Sequence, residues 1–380
     1  MPLTSKTERI FLMKFLCKKQ SLYDAMTNVS KAVAERSTNP LLEGMRFHLD
    51  GNLLELTGYD LEIGIRTSVL VNSDDECTFI LKPRLFSEII KGMPEEDIFV
   101  EISEGFHITV SCGNTSFNLS ALDGEEYPEL PEKETKEVMT ISQPVLKNMI
   151  NQSIFAVAVS EAKPILKGEL FEIQKSTLTM VAIDGYRLAV RREAIKFDDV
   201  ARFVVPSKSL SEVAKLLSDN ENDFCQMYLS EKHIIFEIGS YLVYSRLLEG
   251  EFHPYESAIP KNFTTEVTVN RKELITCLER AMLVISEKVP TPIRCHFENG
   301  MIKFSCSGEK GKFFDEMKAD ISGPAMEIGF KCKFLIDPLK VIDDERVKLQ
   351  MGGSLLPMKI VPQNGEHYTY LVLPVRLKQS

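Results

Sequence analysis

The 380-residue sequence contains no tryptophan, no Cys-x-x-Cys pair and no long apolar run, and each absence excludes a class of protein. Its longest uninterrupted apolar stretch, residues 154–159, is far shorter than the ~18 residues that a membrane-spanning helix needs. The eight cysteines lack the spacing of a zinc site or a secreted disulfide framework, so they are predicted to be reduced, buried or half-buried thiols. Without tryptophan or another evident base-stacking platform, sequence-specific and single-strand nucleic-acid recognition are disfavoured.

The amino terminus does not have the pattern of a secretory signal. Lys14 splits the apolar stretch 10–16, and no small-residue cleavage site follows it. Met13 could be an alternative start, so residues 1–12 are interpreted as an extension outside the fold. We therefore predict a cytoplasmic protein. Its net charge of −10 argues by itself against nucleic-acid binding, so the distribution of charge has to decide.

The sequence shows no evident set of catalytic residues. An enzyme is therefore the alternative class of protein, not the one we predict. The six histidines form no HxxxH or HExxH pair, and spacing suggests no Ser-His-Asp or Cys-His arrangement. Asp60, Asp184 and Glu88 could be catalytic acids, but no spacing pairs any of them with a second catalytic residue. The Gly-Glu-Lys-Gly-Lys segment at 308–312 fails the spacing of a phosphate loop and is better explained as a hairpin turn. We predict a non-catalytic protein without cofactor or metal.

The strongest positive signal is a pair of basic residues, seven apart, that occurs three times. The copies follow one another after 124 and then 125 residues, a step long enough for a whole domain. A proline, a glycine and an aspartate of the first copy also recur 124 residues later in the second copy. The pairs are Arg84 and Lys91, Lys208 and Lys215, and Lys333 and Lys340; the other repeated positions are Pro40 and Pro164, Gly44 and Gly168, and Asp60 and Asp184.

Each copy has the pattern helix, strands, helix, strands, which predicts an α+β fold with antiparallel sheet. The predicted helices have apolar residues at i, i+3, i+4 and i+7, and the strands are short alternating runs. Turn-rich segments at 123–136 and 260–265 suggest domains at 13–133, 134–261 and 262–380. Pro338 interrupts the last helix, which could therefore begin near it and leave Lys333 just outside.

Basic side chains recur on the predicted helices, whereas acidic residues concentrate in turns. Two helix residues seven apart lie about 20° from each other, so each pair faces one way. A generally acidic surface with repeated basic helix faces suggests a protein that accepts a polyanion on one surface; ordinary solvated helix faces are the alternative. The candidate DNA-binding residues are Lys31, Arg36, Arg84, Lys91, Lys147, Lys208, Lys215, Arg271, Lys272, Arg280 and Lys340.

Several short segments of the sequence resemble the bacterial DNA polymerase III beta subunit, the sliding clamp family. They are Ala-Ile-Asp-Gly-Tyr-Arg-Leu-Ala at 182–189, Ser-Arg-Leu-Leu-Glu-Gly-Glu-Phe at 245–252, Met-Glu-Ile-Gly-Phe at 326–330, and Tyr-Leu-Val-Leu-Pro-Val-Arg-Leu at 370–377. Asn-Leu-Ser at 118–120 followed by Glu-Tyr-Pro at 126–128 resembles the end of that family's first domain. The resemblance extends in order over residues 13–377 and implies a processivity factor that encircles duplex DNA and serves replicative polymerase, clamp loader and repair proteins.

The size of a helix-lined ring fixes how many chains such a clamp needs. With helices about 10 Å across, the six helices of one chain would leave a hole of only about 9 Å. Twelve helices would leave about 28 Å, enough for B-form duplex of roughly 20 Å. The resemblance therefore implies a head-to-tail homodimer with six domains. A monomeric peptide-binding scaffold that ignores DNA is the remaining alternative, and a particle mass near twice 43.0 kDa would exclude it.

The resemblance also assigns residues to sites. Arg36 and Lys208 match positions where the family touches DNA. Phe117, Leu119, Leu283 and Val284 are predicted at the dimer interface, with internal core as the alternative. Here Tyr186 replaces a frequent histidine, His253-Pro254 replaces Pro-Asp, and residues 378–380 extend past the usual ending. The groove for short linear motifs of partners is predicted to be lined by Leu166, Ile183, Gly185, Tyr186, Arg187, Leu188, Ala258, Phe334, Leu371, Leu373, Pro374, Val375, Arg376 and Leu377.

Overall fold

The computed structural model describes residues 12–133, 138–160, 162–197, 199–286 and 291–377. The chain divides into two compact units. Unit 1 is Met1–Met139 with Lys215–Arg246, and unit 2 is Thr140–Ala214 with Leu247–Ser380. Because this division falls inside the second predicted domain, the predicted domain boundaries stay a prediction. The extension 1–12, apart from Leu12, and the tail 378–380 lie outside the described residues.

The described ranges contain six α-helices, each amphipathic as the sequence predicts. In the second helix, Phe86, Ile89 and Ile90 are buried at helical spacing, while Arg84 and Lys91 are exposed on the other side. None of the helices in these ranges is long and apolar enough to cross a bilayer. They are α1 Lys19–Val29, α2 Pro83–Gly92, α3 Gln143–Ser153, α4 Ser207–Leu216, α5 Arg271–Met282 and α6 Cys332–Val341.

The third repeat corrects one expectation. Helix α6 does not begin near Pro338 but at Cys332, and it continues through the proline. Pro338 removes only the amide that would donate to the carbonyl of Phe334, and its ring is buried in the core of unit 2. Lys333 therefore lies in the first turn of α6 and Lys340 in the last. All three basic pairs are helical.

Twenty-six strands occupy most of the remaining described chain. They are β1 Met13–Lys18, β2 Met45–Asp50, β3 Leu53–Tyr59, β4 Ile63–Leu70, β5 Glu76–Leu81, β6 Asp97–Ser103, β7 His107–Cys112, β8 Thr115–Ser120, β9 Leu122–Asp123, β10 Val138–Ser142, β11 Gly168–Gln174, β12 Thr177–Ile183, β13 Arg187–Ala194, β14 Ala201–Pro206, β15 Phe224–Leu229, β16 His233–Ile238, β17 Tyr241–Arg246, β18 Thr265–Asn270, β19 Ile293–Glu298, β20 Met301–Gly308, β21 Gly311–Lys318, β22 Asp320–Ser322, β23 Met326–Phe330, β24 Arg346–Met351, β25 Met358–Pro362 and β26 Tyr368–Val372. All strand pairs with an assigned register are antiparallel, as predicted.

Unit 1 contains two antiparallel sheets against which α1 and α2 pack. The smaller sheet has the order β1-β6-β7-β8, and the larger runs β15-β16-β17-β4-β3-β2-β5-β9. The segment that leaves the larger sheet after β9 crosses it as a strap. Tyr127 and Leu130 of this strap are buried, and Lys133 lies 2.5 Å from Glu237 on β16. The turn-rich segment predicted to hold a domain boundary therefore packs on the sheet up to Lys133.

Unit 2 repeats the arrangement. Its larger sheet has the order β14-β11-β12-β13-β26-β25-β24-β18-β22, and its smaller sheet has the order β21-β20-β19-β23. Helices α5 and α6 pack against each other, and the core between sheets and helices includes Leu278, Phe304 and Tyr370. Strand β26 pairs with β13, so that the segment 368–377 leads directly to the hairpin at 184–187.

Three smaller predictions can be compared with the structure. All eight cysteines are free thiols; seven are buried and Cys77 is half-buried, as predicted. Gly308 pairs with Gly311 across a two-residue turn, which confirms the hairpin interpretation of 308–312. Asp60 and Asp184 both accept hydrogen bonds from the backbone amides two and three residues ahead, so the repeated aspartate stabilises the same turn in both copies.

Candidate functional site

The predicted DNA-binding side chains are mostly exposed on helix faces. All six residues of the repeated pairs are exposed, as the helical spacing predicts. Among the other candidates, Lys31 and Arg36 are exposed on the short 3₁₀ turn and the loop after α1, and Lys272 and Arg280 are exposed on α5. Lys147 on α3 and Arg271 are the two half-buried members of the set.

Several of these cations have carboxylate neighbours. Lys340 Nζ lies 2.6 Å from Glu279 Oε1, and Arg84 Nε lies 3.9 Å from Glu88 Oε1. Exposed ion pairs of this kind contribute only about 0–1 kcal/mol, so an approaching phosphate could replace either carboxylate. These helix faces therefore carry both basic and acidic side chains, and the basic side chains could exchange their carboxylate partners for phosphates.

Arg271 and Arg280 on α5 both contact residues outside their own helix. The Arg271 guanidinium donates to the carbonyls of Asp344 and Leu339, at 2.7 and 3.0 Å, and so ties α5 to the end of α6. Arg280 pairs with Asp315 on β21, and this hydrogen bond raises the pKa of Arg280 and lowers that of Asp315. Both side chains connect α5 to neighbouring elements of unit 2.

The predicted groove residues of unit 2 lie on β12, β13, β26 and α6, in the β12–β13 turn, in the short turns at 164–167 and 255–258, and in the segment 373–377. The turn between β12 and β13 is held by Asp184, whose Oδ1 accepts from the amides of Tyr186 and Arg187, both at 2.8 Å. Gly185 has φ +88°, a conformation that residues with a Cβ rarely adopt. The turn presents Tyr186 to solvent, with 63% of its surface exposed.

Arg187 is the most constrained charge of the groove. Its Nε lies 3.0 Å from Asp184 Oδ2 and its Nη1 lies 2.6 Å from Asp337 Oδ2 on α6. The guanidinium also stacks over the ring of Phe334 at 4.4 Å and lies 5.6 Å from the ring centre of Phe155. Two carboxylates and two aromatic rings thus surround a side chain that the resemblance assigned to the lining of the groove.

An apolar floor lies beneath the hairpin. Leu166, Leu188 and Leu371 are buried in one cluster, against which Ile183 packs. Tyr186 and Phe334, whose ring centres are 6.0 Å apart, form an aromatic wall beside it. Such an arrangement can accept an aliphatic or aromatic side chain and bury it against carbon on several sides.

The segment after β26 forms the other wall. Leu373 N donates to Tyr186 O at 2.9 Å, and Val375 N donates to Gly329 O on β23 at 2.8 Å. The side chains of Leu373 and Val375 are both exposed, whereas Leu377 is half-buried. Of the remaining predicted groove residues, Ala258 and Arg376 are exposed and Pro374 is half-buried.

The residues predicted at the dimer interface lie at the surface. Phe117 and Leu119 are on β8, the edge strand of the smaller sheet in unit 1; Phe117 is exposed and Leu119 half-buried. Leu119 also lines a cavity of about 270 Å³ together with Leu85 and Leu122, which are both exposed. The alternative for these residues was a position in an internal core. Phe117 does not fit that alternative, because it is exposed.

In unit 2, Leu283 and Val284 lie in the turn that follows α5. Leu283 is 72% exposed, and the carbonyl of Val284 packs against Gly308 at the end of β20. The adjacent strand β21 is the edge of its sheet, and it presents Phe314 with 68% of its surface exposed. Sequence reasoning missed Phe314, which stands next to Phe313 in the run Phe-Phe-Asp-Glu-Met-Lys at 313–318.

Glu169 is the most perturbed acid in unit 2. It is completely buried on β11, its Oε2 lies 2.5 Å from Ser153 Oγ at the end of α3, and its Oε1 has no hydrogen-bond partner. Burial raises the pKa of this carboxyl to about 8, although the contact with Ser153 works in the opposite direction. Ser153 Oγ also lies 2.8 Å from the carbonyl of Met149, which can only accept. The Ser153 hydroxyl donates to Glu169 Oε2.

Sequence reasoning also missed the carboxylates that hold Arg187. Asp184 carried a signal, because it repeats Asp60 after 124 residues, but it was considered as a repeated position and a possible acid rather than as a partner of Arg187. Asp337 lies 150 residues from its partner, and neither helical nor strand spacing relates the two positions. Within the described ranges, no three His, Cys, Asp or Glu side chains converge as a metal site.

Three helix-and-sheet modules with exposed basic helices and an apolar groove define a clamp-type protein. Family models of the DNA polymerase III beta subunit match its N-terminal domain to residues 13–131, its central domain to 140–254 and its C-terminal domain to 256–376. The chain belongs to this family of sliding clamps, which are non-catalytic processivity subunits of DNA replication.

Individual relatives agree over nearly the whole chain. The beta sliding clamps of Halalkalibacterium halodurans and Bacillus subtilis are 33% and 32% identical over 96% of this chain and 100% of their own length. The solved sliding clamp of Bacillus subtilis superposes with a TM-score of 0.93 at 32% identity, covering 96% of this chain and 100% of that one. A Pseudomonas aeruginosa sliding clamp, solved with griselimycin bound, gives 0.91 at 28% identity, covering 96% and 100%.

Proposed function

We propose that two copies of this chain close head to tail into a ring around duplex DNA. The ring tethers the replicative polymerase for processive synthesis and receives partners in the groove at the β12–β13 hairpin. The observation that carries the proposal is the threefold register of exposed basic pairs on α2, α4 and α6, together with membership of the sliding clamp family. A cytoplasmic location is part of the proposal.

Contact with DNA is proposed to be independent of sequence. Lysine and arginine on helix faces meet phosphates without reading base edges, which allows the ring to slide. The net charge of −10 confines this attraction to the basic faces, since the rest of the surface repels a polyanion. Arg271, which is half-buried and donates to two backbone carbonyls, is proposed to contribute less than the exposed pairs.

Charge reversal tests the DNA-facing surface. Replacing Arg84, Lys91, Lys208 and Lys215 by Glu is expected to abolish retention on circular DNA and leave the dimer intact. A control with the same change in net charge reverses four exposed lysines elsewhere and is expected to retain DNA. Unchanged retention of the first variant would contradict the proposal. The control positions are Lys175, Lys232, Lys261 and Lys310.

The seam of the ring is proposed to join unit 1 of one copy to unit 2 of the other. Two facts support this. Edge strands β8 and β21 have unpaired backbone groups on one side, and each carries an exposed phenylalanine, Phe117 and Phe314. An antiparallel pairing of two edges satisfies these groups and buries both rings. The exposed Leu283 and the cavity beside Leu119 add apolar surface near the two edges.

The mass of the particle tests the seam. Wild-type protein is expected near twice 43.0 kDa by size exclusion with light scattering. Leu283→Asp, which would bury a charge in the seam, is expected to give the monomer, because an unpaired buried carboxylate costs several kcal/mol. A matched change at the exposed Leu355→Asp should leave the dimer. A monomeric wild type would instead support a peptide-binding scaffold.

The groove is proposed to take a short linear motif from the replicative polymerase, the clamp loader and repair proteins. Its support is the apolar floor of Leu166, Leu188 and Leu371 beside the aromatic wall, which suits leucine or phenylalanine anchors. Deleting residues 374–380 is expected to remove stimulation of the polymerase while the dimer still forms. Full stimulation by this variant would exclude the groove as the polymerase site.

A further inference from the structure

Strand β23 carries a glycine where the two equivalent strands carry β-branched residues. The 124- and 125-residue steps relate Ile80 on β5 to Val204 on β14 and to Gly329 on β23. Ile80 and Val204 are both buried and each packs in an apolar cluster with residues of the segment that leaves its domain, such as Tyr127 and Tyr255. Gly329 has no side chain to do so.

The same position of each strand is paired by the segment that follows the domain. In the first two copies that segment continues along the chain, and in the third it is the stretch 373–377. The alignment of the three strands is therefore supported by backbone pairing as well as by the repeat length. The pairs are Ile80 with Leu122, Val204 with Leu248, and Gly329 with Val375.

Leu377 occupies the space that a side chain at position 329 would need. A Cβ on Gly329 would lie 2.4 Å from Leu377 Cδ2, 2.9 Å from its Cγ and 2.9 Å from the carbonyl oxygen of Val375. All three separations are shorter than carbon and oxygen tolerate in a close-packed interior. In the third copy, Leu377 therefore supplies from the tail the apolar side chain that the strand itself lacks.

We propose that Gly329 is a positioning residue of the partner groove. By leaving room for Leu377, it latches the segment 373–377 onto β23 and fixes the wall formed by Leu373 and Val375. The wall is also joined to the hairpin, because Leu373 N donates to Tyr186 O at 2.9 Å. This inference rests on the proposed groove, and it assigns a role to a residue that does not itself line the groove.

The test is the full-length variant Gly329→Ala, with Gly353→Ala as the control in the same unit. A Cβ on Gly353 would come no nearer than 3.8 Å to another residue. We expect Gly329→Ala to bind a short fluorescein-labelled peptide with leucine and phenylalanine anchors about tenfold more weakly, because overpacking displaces the wall. Hydrogen exchange of the fragment containing the Val375 amide is expected to accelerate. The control is expected to match wild type in both measurements.

A double variant separates positioning from general destabilisation. In a Leu377→Ala background, the effect of Gly329→Ala on peptide affinity is expected to shrink, because most of the clash has been removed. Equal affinities of wild type and Gly329→Ala would overturn the inference, and so would an undiminished effect in the double variant. If the wild-type protein binds no peptide, the proposed groove is wrong and this inference is wrong with it. Faster hydrogen exchange in Gly329→Ala would then show only that Gly329 packs against Leu377.

Discussion

Replacing Glu169 by glutamine is expected to remove a large pH dependence from the stability of unit 2. Below its ordinary pKa of 4.5 the carboxyl is protonated in the folded and the unfolded chain, and it costs nothing. As the pH rises, the unfolded carboxyl ionises, whereas the buried one stays protonated up to its raised pKa of about 8. Stability is therefore lost between these two values and is not regained above them.

The magnitude follows from the size of the pKa change. Each pKa unit corresponds to about 1.4 kcal/mol, so the free energy of unfolding should fall by about 3 kcal/mol between pH 5 and pH 8 through this residue alone. Glutamine does not titrate, and its amide oxygen can accept from the Ser153 hydroxyl as the carboxyl oxygen does. Glu169→Gln should therefore resemble wild type near pH 5 and exceed it by about 3 kcal/mol near pH 8.

The assay is urea unfolding followed by circular dichroism at several pH values, with Glu309→Gln as a control. Glu309 is exposed in the β20–β21 turn, so its replacement should leave the pH profile of wild type unchanged. Parallel profiles of wild type and Glu169→Gln between pH 5 and pH 8 would refute the reasoning, because the carboxyl would then be ionised inside the fold. A destabilised Glu169→Gln at pH 5 would show that glutamine cannot replace the acid's hydrogen bond.

Three further outcomes are expected. Asp337→Asn should weaken peptide binding about five- to tenfold, measured by fluorescence anisotropy, because it removes one carboxylate from a half-buried arginine, Arg187; unchanged affinity would show that Asp184 alone suffices. Phe314→Asp should yield a 43.0 kDa monomer by light scattering, and a persistent dimer would exclude β21 from the seam. Native protein should react only slowly with a thiol reagent at pH 8, since burial raises the pKa even of the half-buried Cys77 to about 11; prompt reaction of several thiols would contradict the packing of the cores.

The helices and their basic pairs were predictable because the evidence for them is local. Phe86, Ile89 and Ile90 repeat at the helical period, and that period alone places Arg84 and Lys91 on the opposite side. Local evidence gave a wrong prediction at Pro338, where the proline suggested that the helix begins. Tertiary packing of the proline ring overrode that propensity and kept Lys333 inside α6.

What could not be predicted depends on residues far apart in the chain. No spacing rule relates Arg187 to Asp337, and the groove arginine therefore looked available. The burial of Glu169 is hidden as well, because a glutamate in a strand is usually placed on the solvent face. Leu377 packs against Gly329, which lies on a strand 48 residues earlier, and only the folding of the chain brings the two together.

Pairing of β17 with β4 carries a consequence for synthesis of the chain. Strand β4 ends at Leu70, but the neighbour that covers its edge begins only at Tyr241. At roughly 5–20 residues per second, translation leaves that edge bare for about 10 to 30 seconds on every nascent molecule. During this interval the uncovered edge of β4 is a template for misplaced strand pairing in the nascent chain.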